Sequence, residues 1–127
     1  KSTETEKVYL EDISTYAVCQ TKETMFANKL VALLNRPKIA GRDIYDSVMF
    51  FEKQFEYTND FILEMTGEKT LVDFFIKLHR YLKDNLTQTN IDEDLNTLLP
   101  PKDFKKIRSS LIKDILFYVK EEISILE

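Results

Sequence analysis

Residues 26–50 read FANKLVALLNRPKIAGRDIYDSVMF, and this stretch sets the architecture of the chain. Its first part spaces apolar residues as a helix does, and Pro37 must end that helix because proline cannot donate to the backbone ladder. A second helix is predicted to begin near Arg42, after a short hinge that contains Gly41. Because so short a hinge folds one helix back on the other, the sequence predicts an antiparallel helix pair.

The composition favours one mainly α domain. The chain has 127 residues, 43% of them hydrophobic, with nine Phe, two Gly and three Pro. So few turn-forming residues leave little room for a β architecture, so helices should dominate. A domain of this length buries roughly two-thirds of its unfolded surface, which is enough for a substantial core.

Charge and cysteine content limit the classes of function. A net charge of −4 and a pI near 5.1 give no overall nucleic-acid footprint, so any basic site must be local. Cys19 is the only cysteine, which excludes an internal disulfide and makes the cytoplasm the expected location. No apolar run approaches the roughly 20 residues that a membrane span needs, so no membrane partner is expected.

The rest of the pattern predicts a five- or six-helix bundle with a short N-terminal strand. The strand falls on YAVCQT, residues 16–21, and needs a pairing partner outside the bundle. Residues 1–15 are interpreted as a linker or the end of an upstream domain, and residues 16–127 as a helical C-terminal domain. The helices are predicted from Thr21 or Thr24 to Pro37, over 42–55, over 58–65 with a cap at Gly67, over 71–86 after Thr70, as a short helix to Leu99 after a polar loop at 87–94, and over 102–125 after Pro100-Pro101.

Several charged residues lie near the hinge. Lys29 falls at the border of the apolar side of its helix, with Arg36 almost in line two turns later. Asp43 and Asp46 share one side of the second helix. The ordinary interpretation is a lysine that reaches water past its packed stem, an Asp43 that complements the helix dipole, and an Arg42–Asp46 ion pair.

The alternative interpretation is a shared polar site. An antiparallel pair would bring Lys29 within reach of Asp43 or Asp46 across one groove. A lysine in that position can bind phosphate oxygens or hold a carboxylate as a point charge. The combination on two helices favours this second interpretation.

The same stretch resembles a known family. FAxKLxALxNR in residues 26–36, followed by GRDIYD in residues 41–46, is similar to the AbiEii/AbiGii toxin-type nucleotidyltransferase family. The resemblance implies a DNA polymerase β-like nucleotidyltransferase followed by a helical C-terminal domain. Members are toxins of toxin–antitoxin and abortive-infection systems that transfer nucleotides from NTPs, some of them to tRNA ends, with a cognate antitoxin nearby.

By matching position, the resemblance implies catalytic contributions from Lys29, Asp43 and Asp46, with Arg36 and Arg42 binding substrate. The family's glycine turn and alternating metal-binding aspartates should lie upstream of Lys29, and residues 1–28 contain neither. Mg²⁺ and NTP are therefore expected mainly on an N-terminal catalytic domain, with no metal site in this chain. We expect the chain to be inactive alone, with that domain, a cognate antitoxin and tRNA as partners.

Two further features lie outside the motif. Lys102, Lys106, Lys113 and Lys120 form nearly one stripe on the predicted last helix. A solvated surface is the ordinary interpretation; contact of Lys106 and Lys113 with an RNA backbone is the functional one. His79, the only histidine, is interpreted as a packed or interface residue, because one Cys and one His cannot form a zinc site.

Two functional hypotheses follow. The first is the helical C-terminal domain of an AbiEii-like nucleotidyltransferase toxin, which completes the active cleft with a Lys/Asp motif. The second is a non-catalytic helical interaction module, such as an antitoxin or a partner-binding domain. A glycine turn and alternating aspartates in the chain upstream would distinguish the first from the second.

Overall fold

The computed structural model describes residues 21–127, which form seven α-helices and no strand. The mainly α class is confirmed, and the predicted count of five or six helices is wrong. The strand predicted at residues 16–21 lies outside the described residues except for Thr21, which caps the first helix. The helices are α1 (Lys22–Asn35), α2 (Gly41–Glu52), α3 (Asn59–Thr66), α4 (Leu71–Asn85), α5 (Gln88–Leu98), α6 (Pro101–Ile107) and α7 (Leu111–Leu126).

The α1–α2 pair is antiparallel, as predicted. Thr21 Oγ1 accepts the backbone N–H of Thr24 at 3.3 Å and so caps the start of α1. The helix ends at Asn35, immediately before Arg36 and the predicted breaker Pro37. The Phe26 ring, near the start of α1, lies 5.1 Å from the ring of Phe50 near the end of α2. This pairing of start with end fixes the antiparallel direction.

Both ends of the α3–α4 connection follow local rules. Gly67 caps α3 in the left-handed conformation, with φ 74°, which glycine adopts without the steric cost that a Cβ brings. Thr70 Oγ1 accepts the N–H of Asp73 at 3.1 Å and starts α4. The predictions for these two helices are confirmed, to within a residue at each end.

One prediction is wrong at helix α5. The polar segment 87–94 was predicted to be a loop, but the helix begins at Gln88. Thr87 and Asn90 form a reciprocal capping box, in which Thr87 donates its backbone N–H to Asn90 Oδ1 at 2.9 Å. Only Ile91 and Leu95 are buried on α5, so its apolar side is too narrow to show clearly in the sequence pattern.

The predicted single helix over 102–125 is in fact two helices, α6 and α7, separated by residues 108–110. Arg108 at this break donates to Asp92 of α5, through Nε to Oδ1 at 3.0 Å and through a terminal nitrogen to Oδ2 at 2.6 Å. Gln88 Nε2 donates to the Arg108 carbonyl at 2.8 Å. Contacts with α5 therefore stabilise a break in a segment whose own pattern is helical.

The core lies around α2, which packs against α1, α5 and α7. Helix α4 packs mainly against α7, and α3 packs against α1 and α4. Phe26 is 0% exposed, and truncation of such a side chain to alanine typically costs about 3–5 kcal/mol. The largest fully buried side chains are Phe26, Phe50, Phe74, Phe75, Leu30, Leu33, Ile44, Ile62, Leu78, Leu82, Ile91 and Leu95. Within residues 21–127, no helix has the length and apolar character that crossing a membrane would require.

Candidate functional site

The site lies where α1 and α2 cross beside the hinge of residues 36–40. Lys29 lies in the middle of α1, and Asp43 and Asp46 occupy the first two turns of α2. Ile39 of the hinge is buried, with 4% of its surface exposed, and anchors the connection in the core. The two helices and the anchored hinge hold these side chains in a fixed relation.

Lys29 joins the two carboxylates. Its ammonium nitrogen Nζ lies 3.1 Å from Asp43 Oδ1 and 2.9 Å from Asp46 Oδ2. The Lys29 side chain is 23% exposed, so its head group lies at the edge of the core rather than within it. The approach predicted from the antiparallel pair is therefore observed, and for both carboxylates.

Arg36 binds the same carboxylate from the other side. Its Nε donates to Asp43 Oδ2 at 2.6 Å, so each oxygen of Asp43 accepts from a different cation. Asp43 is only 2% exposed, whereas the Arg36 side chain is 53% exposed. Asp43 therefore holds the Nε of Arg36, while about half of the Arg36 side chain is exposed to solvent.

The burial of Asp43 has an energetic consequence. A buried carboxylate loses its hydration, and this cost is offset only by good hydrogen bonds and opposite charge. Lys29 and Arg36 supply both, and Asp46 balances the second positive charge. These four residues make an ion-pair network whose formal charges cancel. One turn after Asp43, Ser47 is also buried, and within residues 21–127 its Oγ has no hydrogen-bond partner.

Helix α5 braces the start of α2. Asp94 Oδ2 accepts the backbone N–H of Arg42 at 3.3 Å, and Lys38 Nζ lies 2.7 Å from Glu93 Oε1. Lys38 donates this hydrogen bond to Glu93, and the bond together with the negative charge of Glu93 raises the pKa of Lys38. At Gly41 an added Cβ would lie 2.5 Å from the Asn90 carbonyl oxygen, so only glycine allows this approach. The sequence interpretation missed the brace because 87–94 was taken as a loop.

The described residues do not fit a Mg²⁺ site. Both aspartates of the network are already bound to Lys29 or Arg36. Residues 21–127 contain no cluster of three His, Cys, Asp or Glu side chains that could hold a metal ion. Mg²⁺ needs several oxygen ligands in near-octahedral arrangement. No metal-dependent step is assigned to these residues.

The other residues predicted to bind substrate are Arg42, next to Asp43 on α2, and Lys106 and Lys113, on α6 and α7. Arg42 is half-buried, and its backbone N–H is held by Asp94. Lys106 and Lys113 are exposed, but they lie on α6 and α7 rather than on one helix. The break at residues 108–110 interrupts the helical register from which the stripe was predicted, so the stripe stays a prediction.

His79 is a half-buried residue of α4. Burial lowers its pKa, and the positive charges of Lys120 and Lys83 lower it further. Helix α4 packs against α7, and the packed or interface role of His79 stays a prediction.

The fold and site define a class: a helical domain that holds one lysine between two carboxylates of the next helix. The chain matches, over residues 3–116, the family model described as "Nucleotidyl transferase AbiEii toxin, Type IV TA system". It therefore belongs to the AbiEii family of nucleotidyltransferase toxins, and the resemblance seen in residues 26–46 is confirmed. Neither the curated proteins nor the solved structures gave a match.

Proposed function

We propose that this chain is the helical C-terminal domain of a nucleotidyltransferase toxin and completes the active cleft with its Lys/Asp network. The observation that supports the proposal is the Lys29 ammonium, held 3.1 Å from Asp43 and 2.9 Å from Asp46 at the edge of the core. An ammonium has three N–H donors; Lys29 donates one to Asp43 and forms an ion pair with Asp46. In this proposal a further N–H binds a phosphate oxygen of an incoming NTP.

Arg36 would provide a second contact to phosphate. A guanidinium has five N–H donors, and Asp43 accepts the one on Nε. The terminal nitrogens of an arginine that is 53% exposed can bind an anion in a bidentate manner. In this arrangement Asp43 and Asp46 are positioning residues that orient the two cations. Arg42, next to Asp43, would extend the same cationic edge.

The remaining parts of the reaction belong, in this proposal, to other regions and partners. An upstream catalytic domain would supply the ligands for Mg²⁺ and most of the NTP site, and residues 1–15 would join it to the helical domain. The acceptor would be a tRNA end, with Lys106 and Lys113 contacting its phosphates. A cognate antitoxin would oppose the activity in the cytoplasm. The helical chain alone would be inactive.

The test compares nucleotide transfer in the protein that includes the upstream domain. Labelled NTPs and a total tRNA pool serve as substrates for the unmodified protein and for Lys29→Met and Arg36→Gln. Removal of one donor that stabilises developing charge typically lowers turnover by about 10²–10³-fold, and we expect a loss of that order for Lys29→Met. Lys69→Met, at an exposed position on the α3–α4 connection, is the matched control and should retain activity.

Full transfer activity in Lys29→Met and Arg36→Gln would contradict the proposal. The ion-pair network would then be a structural brace, and a non-catalytic interaction module would become the better account. Thermal unfolding of each variant, measured in parallel, separates loss of function from loss of fold.

A further inference from the structure

A cavity of about 690 Å³ lies apart from the Lys/Asp network, between the α2–α3 loop and the C-terminal half of α7. Its volume is within the range of ordinary ligand sites. Among residues 21–127, the lining combines three aromatic rings with three carboxylates and includes no lysine, arginine or histidine. The lining residues are Phe51, Gln54, Phe55, Glu56, Tyr57, Thr58, Asn59, Asp60 and Glu122.

The aromatic walls of the cavity are fixed by packing. Phe51 stacks on Tyr118 with ring centroids 5.4 Å apart and the planes within 5° of parallel. The Phe55 ring lies 5.3 Å from that of Phe50, and the Tyr57 ring lies 5.6 Å from that of Phe26. Rings held in this way lose little further side-chain entropy when a ligand binds.

The carboxylates give the cavity a negative charge. Glu122 of α7 accepts a hydrogen bond from the Tyr57 hydroxyl at 2.5 Å, which fixes both groups. Burial and the neighbouring Glu122 raise the pKa of Tyr57, so the hydroxyl stays protonated and remains a donor. Glu56 and Asp60 are exposed at the rim. Three negative groups in one cavity repel phosphate and so disfavour NTP and RNA as its ligand.

One contact in the structure shows that this surface accepts a cation. Lys22 Nζ, at the start of α1, lies 4.9 Å from the centroid of the Phe55 ring. Cations bind aromatic faces through the ring quadrupole, and arginine does so most often in proteins. A planar guanidinium can lie against such a ring while it donates to a carboxylate.

We propose that this cavity binds an arginine-bearing segment of a protein partner. Charge complementarity favours an arginine side chain, because the cavity combines three carboxylates with aromatic rings, and a guanidinium can interact with both. The chain's own residues 1–20 are a poorer match, with four acidic and two basic side chains. The site is independent of the Lys/Asp network and of the nucleotidyl transfer proposed for it.

The test is a titration of the ¹⁵N-labelled 127-residue chain with the peptide acetyl-Ala-Arg-Ala-Arg-Ala-amide, followed by NMR. Saturable shifts are expected at the amides of residues 54–60 and of Glu122. The same peptide with citrulline in place of arginine keeps the shape and hydrogen bonds but removes the charge, and it should produce no saturable shift. Equal responses to the two peptides, or shifts only elsewhere, would overturn the proposal.

Variants sharpen the test. Glu56→Gln with Asp60→Asn should weaken peptide binding about tenfold, because exposed ion pairs each contribute modestly to affinity. The matched control, Asp84→Asn with Asp103→Asn, removes the same charge at exposed positions outside the lining and should leave affinity within about twofold. Lys22→Gln should strengthen binding, because it frees the Phe55 ring.

Other results with these variants would contradict the proposed arginine site. An unchanged affinity in the Glu56/Asp60 double variant, or weaker binding in Lys22→Gln, would show that the cavity does not hold the guanidinium. Spermidine, a small free cation, serves as the final comparison. If spermidine competes for the cavity as strongly as the peptide, the site is a polyamine site and the proposal of a protein segment is wrong.

Discussion

Arg36 Nε lies 2.6 Å from Asp43 Oδ2, and the hinge that connects α1 to α2 runs between these two residues. The other oxygen of the same carboxylate accepts from Lys29, which lies about two turns before Arg36 along the chain. One buried carboxylate thus holds two cations against the start of α2. This side chain therefore helps to fix the geometry of the hinge, together with buried Ile39 and the contacts from α5.

The two aspartates should contribute very differently to stability. Asp43 is 2% exposed and bound by two cations, whereas Asp46 is 19% exposed and bound by one. Asp43→Ala removes the acceptor that both cations share and leaves a gap in the core, so it should cost about 1–3 kcal/mol, less than for fully buried cations because Lys29 and Arg36 are partly exposed. Asp46→Ala should cost less than about 1 kcal/mol. Urea unfolding of the two variants measures the difference, and equal losses would contradict the central role of Asp43.

Replacement of Gly41 by alanine should destabilise the protein, although the same replacement usually stabilises a helix. Alanine normally stabilises a helix relative to glycine, by up to about 1 kcal/mol. At Gly41, however, an added Cβ would lie 2.5 Å from the Asn90 carbonyl oxygen and 2.8 Å from the Ile91 Cα, which are both backbone atoms. We expect Gly41→Ala to lower the free energy of unfolding by about 1–3 kcal/mol.

Gly67→Ala is the comparison for this prediction. An added Cβ at Gly67 meets no atom within 4 Å, but the residue has φ +74°. Its cost should therefore come from backbone strain alone, at about 1–2 kcal/mol. Gly67→Asn tests whether backbone strain is the cause. Asparagine tolerates the left-handed conformation, so Gly67→Asn should be more stable than Gly67→Ala. A stabilising Gly41→Ala would show that α2 and α5 can move apart at no cost.

The single histidine should make stability depend on pH between the neutral and mildly acidic ranges. Burial, Lys120 and Lys83 lower the pKa of His79 below its usual 6.5 in the folded chain. The unfolded chain therefore binds the proton more readily, and the folded state loses stability as the pH falls from above 6.5 towards the lower folded pKa. His79→Gln should remove this part of the pH dependence.

Urea unfolding at pH 7.5 and at pH 5.5 tests the histidine prediction. The same measurement on His79→Gln gives the pH dependence that comes from the carboxylates alone. NMR of the one imidazole gives its pKa directly. Lys120→Gln should raise that pKa, because it removes a neighbouring positive charge. A pKa above 6.5 in the unmodified chain would contradict the prediction.

The two exposed lysines proposed to bind RNA give a prediction about salt. Lys106→Gln with Lys113→Gln should weaken binding to tRNA and lower the slope of log affinity against log salt by about 2, because each lysine neutralises one phosphate. Lys69→Gln with Lys83→Gln removes the same charge at exposed positions on other parts of the surface. If both pairs change the slope equally, the binding reflects total charge and not a site.

Local signals in the sequence predicted the elements that local chemistry controls. Thr21 caps α1, Pro37 follows its end, and Gly67 ends α3 in the left-handed conformation. Each rule involves residues within about one turn, so the surrounding fold has little influence on the outcome. The approach of Lys29 to Asp43 could be predicted because two such helices are joined by a short hinge.

The errors arose where distant residues decide the structure. Helix α5 has only Ile91 and Leu95 buried, so its sequence looks like a polar loop. The break between α6 and α7 lies in a helical pattern and is held open by Asp92 and Gln88 of α5. The contact of Asp94 with the Arg42 N–H joins residues 52 positions apart, which no local pattern can show.

By itself, the sequence determined the helical class, the antiparallel pair around the hinge and the family, because periodicity, helix caps and a short motif are local properties. The tertiary structure alone decided that Asp43 is buried between two cations, that α5 braces Gly41, and that an acidic aromatic cavity forms beside α7. These features require side chains from separate helices to meet. Their geometry depends on how the core packs, which is a property of the whole chain and not of any one segment.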